Sequence, residues 1–254
     1  MTGWQLAFLF VAGIGGGLTG SIAGLASLVS YPALLAVGLP PVIANVTNTV
    51  AMIGTTVGSV AGSRQELRGQ GPVLWRLCAV TAVGGAAGGA LLLLTPGDTF
   101  EVIVPWLIAL ASVLLMVAPR LRARALRSAE AGTTGTPLGP LTLATAFGVA
   151  LYGGYFGAAA GVMLLALLSV AWSQSLARSN AAKNLASGAA NLVAAVGFAF
   201  LAPVDWAAVG VLTAGLLIGS RIGPALVRRV PATPLRIAIG LAGLGLAVSL
   251  WVGR

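Results

Sequence analysis

No histidine occurs among the 254 residues, and there is a single cysteine, Cys78. Without histidine the chain cannot build a Ser-His-Asp triad, a histidine-ligated metal site or a histidine-held haem. One cysteine cannot form an internal disulfide, and Cys78 lies in an apolar stretch, where a packed, inert thiol is expected. The acidic residues are only Glu66, Asp98, Glu101, Glu130 and Asp205, all at the edges of apolar segments. That placement argues against an intramembrane aspartyl protease or a carboxylate proton relay. Charged residues make up 7% of the chain, against about 25% in an average soluble domain. These absences leave conventional hydrolysis almost no groups to work with, so no enzyme, cofactor or metal is expected.

What is abundant points one way. Hydrophobic residues make up 58% of the chain, glycine contributes 36 positions, and mean hydropathy is +1.00. A soluble fold of this composition would expose large apolar patches, whereas packed transmembrane helices use small residues to bring backbones close. The first charged side chain is Arg64, and none lies between Glu130 and Arg178, which marks long stretches suited to lipid. The start, Met1-Thr-Gly-Trp-Gln5, lacks a basic signal-peptide region and reads as the beginning of a retained helix. A multi-pass membrane protein is expected. Net charge is +9, but 13 of the 14 basic residues are arginines spread among loops and helix ends. A cytoplasmic topology signal accounts for that better than nucleic-acid binding.

Charges and Pro/Gly punctuation divide the chain into eight apolar blocks, 4–37, 41–62, 73–95, 102–119, 140–173, 180–201, 206–226 and 235–252. About 20 residues suffice to span the hydrocarbon, so the long, glycine-rich first and fifth blocks are expected to be broken or re-entrant. The order long, medium, medium, medium then repeats, giving an all-α fold of two halves: an N-terminal repeat, 1–128, a cytoplasmic linker, 129–139, and a C-terminal repeat, 140–254. Placing Arg64, Arg68, Arg76, the run Arg120 to Arg127, Arg178, Arg228 and Arg229 inside, with Asp98, Glu101 and Asp205 outside, makes the halves inverted relative to each other. Inverted repeats with paired broken helices are a transporter design in which the breaks form the substrate site.

Polar residues recur at matching positions. Gly20-Ser-Ile-Ala-Gly-Leu-Ala-Ser27 precedes Ala44-Asn-Val-Thr-Asn-Thr49, and Gly157-Ala-Ala-Ala-Gly161 precedes Asn180-Ala-Ala-Lys-Asn184. Asn45, Thr47 and Asn48 in one half, and Asn180, Lys183 and Asn184 in the other, fall near helix starts, where free N–H groups and the positive dipole end favour an anion. Lys183 is the one lysine of the chain. The competing account has the asparagines and threonine capping helices and Lys183 snorkelling to the interface. Gly24, Ser27, Gly157 and Gly161 would supply the breaks and line a cavity, or pack helices closely. Pro32 would mark where the first helix resumes, or kink it. Tyr152 and Tyr155 would line the cavity or sit in an interfacial belt. Gly13-Ile-Gly-Gly-Gly17 follows no strand, which argues against nucleotide binding. Trp4, Trp75, Trp106, Trp172, Trp206 and Trp251 lie near block ends and read as interfacial anchors.

Two sets of residues resemble a known family. The first-half set is Ile22-Ala-Gly-Leu-Ala-Ser-Leu-Val-Ser-Tyr-Pro-Ala-Leu-Leu35, Gly38-Leu-Pro-Pro41 and Ala44-Asn-Val-Thr-Asn-Thr-Val50. The second-half set is Tyr152-Gly-Gly-Tyr-Phe-Gly-Ala-Ala-Ala-Gly-Val-Met163, Asn180-Ala-Ala-Lys-Asn-Leu185 and Val204-Asp-Trp206. Together they resemble the sulfite exporter TauE/SafE family across essentially the whole chain. The resemblance implies a bacterial inner-membrane permease for sulfite, sulfonates or related organosulfur anions. One departure is Ala23-Gly-Leu-Ala-Ser27, where the family often has Ala-Gly-Gly-Gly-Ser; Leu25 and Ala26 lack glycine's freedom and imply a tighter break. The expected partners are a small anionic solute and the lipid bilayer, with no nucleic acid and with homo-oligomerisation left open. The rival functions are a non-transporting subunit that anchors a partner enzyme and a carrier or importer of another anion, such as a carboxylate.

Overall fold

A computed structural model describes residues 1–130, 138–172, 174–226 and 232–252, and every regular element among them is an α-helix. The first apolar block folds as α1 (Gly3–Ala23) and α2 (Ala26–Ala36), and the second as α3 (Pro41–Ala51) and α4 (Ile53–Gly62), followed by the single turn α5 (Arg64–Leu67). Then come α6 (Gly71–Leu94), α7 (Gly97–Glu130), α8 (Pro140–Tyr155) and α9 (Ala160–Ala171). The chain ends in α10 (Leu176–Leu201), α11 (Trp206–Leu226) and α12 (Ala232–Val252). Among the described residues five helices are long and apolar enough to cross a membrane, over Gly3–Ile22, Gly71–Leu94, Gly97–Leu114, Leu176–Leu201 and Trp206–Gly223. The basic run from Arg120 continues α7 as helix, although the sequence suggested a linker just beyond it. Most of that linker, with Arg228 and Arg229, lies outside the described residues.

Local signals set the helix starts. Thr2 and Gln5 form a capping box on α1, Ser175 caps α10 through Arg178 N–H, and the Asp205 carboxylate accepts from Ala208 N–H at 2.9 Å to open α11. Pro41 and Pro140 occupy the first positions of α3 and α8, where the missing N–H has no intrahelical acceptor to serve. α2 resumes at Ala26, so Pro32 lies inside that helix and does not start it. The interruption at Met52 between α3 and α4 has no signal in the sequence. There the Thr213 hydroxyl donates to Ala51 O at 3.4 Å, and a side chain reaching into the backbone ladder is a recognised cause of a bend.

Packing runs between the halves. α1 lies along α11 and α8 along α6; α4 packs on α11 and α10 on α6; α7 packs on α12. Exchanging the halves, α1 for α8, α4 for α10, α6 for α11 and α7 for α12, leaves this pattern unchanged. The two long pairings depend on absent side chains. A Cβ on Gly17 of α1 would sit 2.3 Å from Leu216 O, and one on Gly88 of α6 would sit 1.9 Å from Leu151 O. Lipid tails are as apolar as leucine, so van der Waals fit at such small-residue seams is what holds helices together in a bilayer.

The outer surface is apolar: Trp4, Leu94 and Phe200 are among the most exposed side chains, while Asn45, Asn48 and Lys183 are buried. Five of the six tryptophans are exposed, as interfacial anchors should be. Trp172 is 6% exposed and packs with Leu74, Leu77 and Leu168, so it is a core residue. Its apolar flanks look the same in sequence whether the ring faces lipid or protein.

Candidate functional site

The site is built on two helix breaks. α1 ends on Gly24 in the left-handed conformation (φ 75°), whose N–H donates to Gly20 O at 2.8 Å. α8 ends at Tyr155, and the chain turns through Gly157 (φ 78°) and Ala159 (φ 61°) before α9 begins. Left-handed backbone suits glycine but strains alanine by about 1–2 kcal/mol, so the surrounding packing must hold Ala159 in place. The two breaks touch: a Cβ on Gly24 would lie 2.6 Å from Gly161 Cα, and one on Gly161 would lie 2.7 Å from Gly24 Cα.

A helix end leaves carbonyls without intrahelical partners, and in each half a helix of the other half supplies donors, to Ser21 O and Tyr155 O and, beside the Gly24 N–H, to Gly20 O. Lys183 Nζ donates to Gly20 O at 3.2 Å, and the Asn180 and Asn184 amides both donate to Ser21 O, at 3.0 and 3.4 Å. For the second break, Asn45 Nδ2 donates to Tyr155 O at 2.8 Å. The sequence suggested that these polar clusters sit at helix starts facing one another. They instead lie one to two turns inside α3 and α10, where Asn45 reaches the carbonyl end of α8 and Asn180, Lys183 and Asn184 reach that of α1. A cation is favoured at that end of the helix dipole. Lys183 is 1% exposed, so it does not snorkel to the interface.

Beside these breaks lies an open cleft. Among the residues proposed from sequence, Gly24, Ser27, Gly157, Gly161, Lys183 and Asn184 line it. Asn45, Thr47, Asn48, Asn180, Pro32, Tyr152 and Tyr155 do not. Thr47 accepts from Asp205 N–H at 3.1 Å, Asn48 Oδ1 accepts from the Ser30 hydroxyl, and the Tyr152 hydroxyl donates to Ala158 O at 2.8 Å inside the second break. Tyr155 packs edge-on to Phe100, with centroids 5.8 Å apart. Of these residues, Asn45, Asn180 and Tyr152 bond carbonyls at the breaks.

The remaining polar wall escaped the sequence reading. Thr55, Thr56 and Ser59 of α4, Thr81 of α6, and Ser187 and Asn191 of α10 all line the cleft. On α10 the polar positions 180, 184, 187 and 191 recur at helical spacing along one face. That stripe, and the Thr55/Ser59 pair one turn apart, were the available signals. Met52, Val149, Ala150 and Leu164 supply apolar lining. No carboxylate among the described residues lines the cleft, so nothing of opposite formal charge faces Lys183 there. An apolar pocket with a few converging polar groups is the usual form of a small-molecule site.

Comparison with known proteins identifies the family. The profile of the sulfite exporter TauE/SafE family matches residues 9–250, and the chain belongs to that family. It is therefore a multi-pass membrane protein of a transporter family. It is 27% identical over 231 residues to "Probable membrane transporter protein YfcA" of Escherichia coli K12, covering 87% of this chain and 80% of the relative. It is 26% identical over 251 residues to "Probable membrane transporter protein ORF9" of Sinorhizobium sp, covering 96% and 92%. A Haemophilus influenzae "Probable membrane transporter protein" is 26% identical over 239 residues, covering 91% and 88%. No solved structure matches the chain.

Proposed function

We propose that this chain is a secondary transporter of the inner membrane that exports a small sulfur-containing oxyanion, sulfite or a short sulfonate, by alternating access. The observation that carries the proposal is Lys183, a buried lysine at the cleft with no carboxylate lining it. An isolated buried charge is expensive unless paired. The carbonyl end of α1 offsets part of that cost, and a guest anion supplies the rest. Asn184 and Ser27 would complete the binding wall, while Asn45, Thr47, Asn48 and Asn180 act by holding the broken helices.

An inverted repeat is supported by the exchangeable packing of the two halves and by the contact between their breaks, which in this class of carrier meet at the substrate site. Gly24 and Gly157 would then act as hinges. The family's name favours a sulfur oxyanion as substrate. An inside-negative potential favours anion exit by about 2.3 kcal/mol per charge per 100 mV without a coupled ion.

The test is uptake of radiolabelled sulfite into proteoliposomes under an imposed voltage, competed by unlabelled sulfite, ethanesulfonate and acetate. Saturable uptake competed by sulfite and ethanesulfonate but weakly by acetate is expected. A flat competition profile would sink the sulfur-oxyanion assignment, and the absence of flux for any solute would favour an assembly subunit.

A further inference from the structure

Hydroxyl groups on membrane helices commonly donate to the carbonyl of the preceding turn, since no water is there to serve them. This chain follows that habit: Thr19, Ser30, Thr49, Ser112 and Ser169 each donate to the carbonyl four residues back, at 2.7–3.0 Å. At the cleft itself Thr81 is satisfied by Ala186 O at 2.9 Å and Thr56 by Met52 O at 3.4 Å. Thr55 and Ser59 depart from it. Both side-chain oxygens are buried without a partner among the described residues, and both residues line the cleft. Ser59 is 0% exposed. Ser179 also lacks a partner but does not line the cleft. Four residues apart on α4, Thr55 and Ser59 share a face and stand about 6 Å apart along the axis.

A buried hydroxyl left unpaired is destabilising, and two of them one turn apart on residues that line one cleft are explained by a guest around which the wall closes and which accepts from both. We propose that Thr55 and Ser59 are the specificity-determining pair of the cleft, donating to the oxygens of the anion while Lys183 balances its charge. This inference rests on the anion-site reading above. It assigns recognition of the oxygen atoms to α4, outside the Asn-Lys-Asn motif that supplies the charge. A guest with several acceptor oxygens satisfies both donors, whereas an anion valued only for its charge leaves the pair unused.

The experiment follows thermal unfolding of the detergent-solubilised full chain during titration with sodium sulfite or sodium ethanesulfonate, with sodium chloride at equal ionic strength as the charge-only probe. The native chain, Thr55→Val/Ser59→Ala and Lys183→Gln are compared. The native chain should be stabilised more by the oxyanions than by chloride. The double variant should lose that excess, with apparent affinity falling at least about tenfold per hydroxyl, the worth of a hydrogen bond to a charged group. Its chloride response should persist, and its melting temperature without added anion should equal or exceed that of the native chain, because unpaired buried groups have been removed. A merely structural pair would do the opposite, and a drop in the empty protein's melting temperature overturns the proposal. So does survival of the oxyanion excess in the double variant. If that excess survives but vanishes in Lys183→Gln, the anion site stands and only the hydroxyl pair falls; if the native chain responds to no anion, both fall. Ser59→Ala alone carries the same comparison should the double variant not fold.

Discussion

Replacing Lys183 with glutamine removes a charge from a position that is 1% exposed, where the only hydrogen bond among the described residues is the 3.2 Å one to Gly20 O. For the empty protein the terms nearly cancel. A charge-assisted hydrogen bond of about 1.5–3 kcal/mol is lost, with a favourable interaction at the end of the α1 dipole of up to about 2 kcal/mol. Against this, the desolvation penalty of several kcal/mol for a buried ion disappears. The empty variant should therefore unfold within a few degrees of the native chain. Binding changes far more. A monoanion about 4 Å from the ammonium, at an effective dielectric of about 20, gains about 4 kcal/mol, and each 1.4 kcal/mol is about tenfold. Affinity should thus fall about a thousandfold. Equilibrium dialysis of a radiolabelled sulfonate against the detergent-solubilised chain measures it, with a thermal melt beside it. An affinity within about tenfold of native, far short of the full Coulomb term, would refute Lys183 as the counter-charge. A collapse of the fold with no ligand present would show that its role is to cap α1.

Three further outcomes follow from the packing. Gly24→Ala combines left-handed strain of about 1–2 kcal/mol with a Cβ pressed to 2.6 Å from Gly161 Cα, whereas Gly38→Ala meets only the strain (φ 92°), having open space around it. Melting temperatures should fall further for Gly24→Ala, and the reverse order would contradict the close contact of the breaks. Asn45→Ala strips Tyr155 O of its donor and should destabilise the chain by about 1 kcal/mol, read from the denaturation midpoint, without abolishing sulfite uptake. In a Cys78→Ser background, cysteines at Gln65 and Gln174 should label with an impermeant thiol reagent from one face of oriented vesicles, and cysteines at Asp98 and Pro203 from the other. Labelling of Gln65 and Gln174 from opposite faces would exclude the proposed topology.

Much of the helical layout was legible because composition and punctuation carry it. Both long blocks break at glycine-rich sites, at Gly24 and Gly157, where left-handed backbone is needed. Pairings between distant segments were not legible. Nothing near Met52 announces that Thr213 will reach Ala51 O from the other half, and Gly13 and Gly17 reveal close packing without naming α11 as the partner. The candidate site shows the same limit. Residue type marked Lys183 and the asparagines as chemically unusual, but whether such donors face a helix start or a helix end depends on which helix lies opposite. Thr55 and Ser59 escaped attention because a threonine and a serine one turn apart are common, and only the missing acceptor sets them apart.

The seam between α1 and α11 joins residues about 200 positions apart, as with Gly17 and Gly219. At synthesis rates of about 5–20 residues per second, the first helix waits about 10–40 s in the bilayer before its partner leaves the ribosome. During that interval its glycine face is open to any small-residue helix nearby, and the carbonyls of Gly20 and Ser21 lack the donors that α10 will bring. Premature pairing is thus the hazard built into this architecture, and biogenesis must shelter the first helix until the last third of the chain arrives.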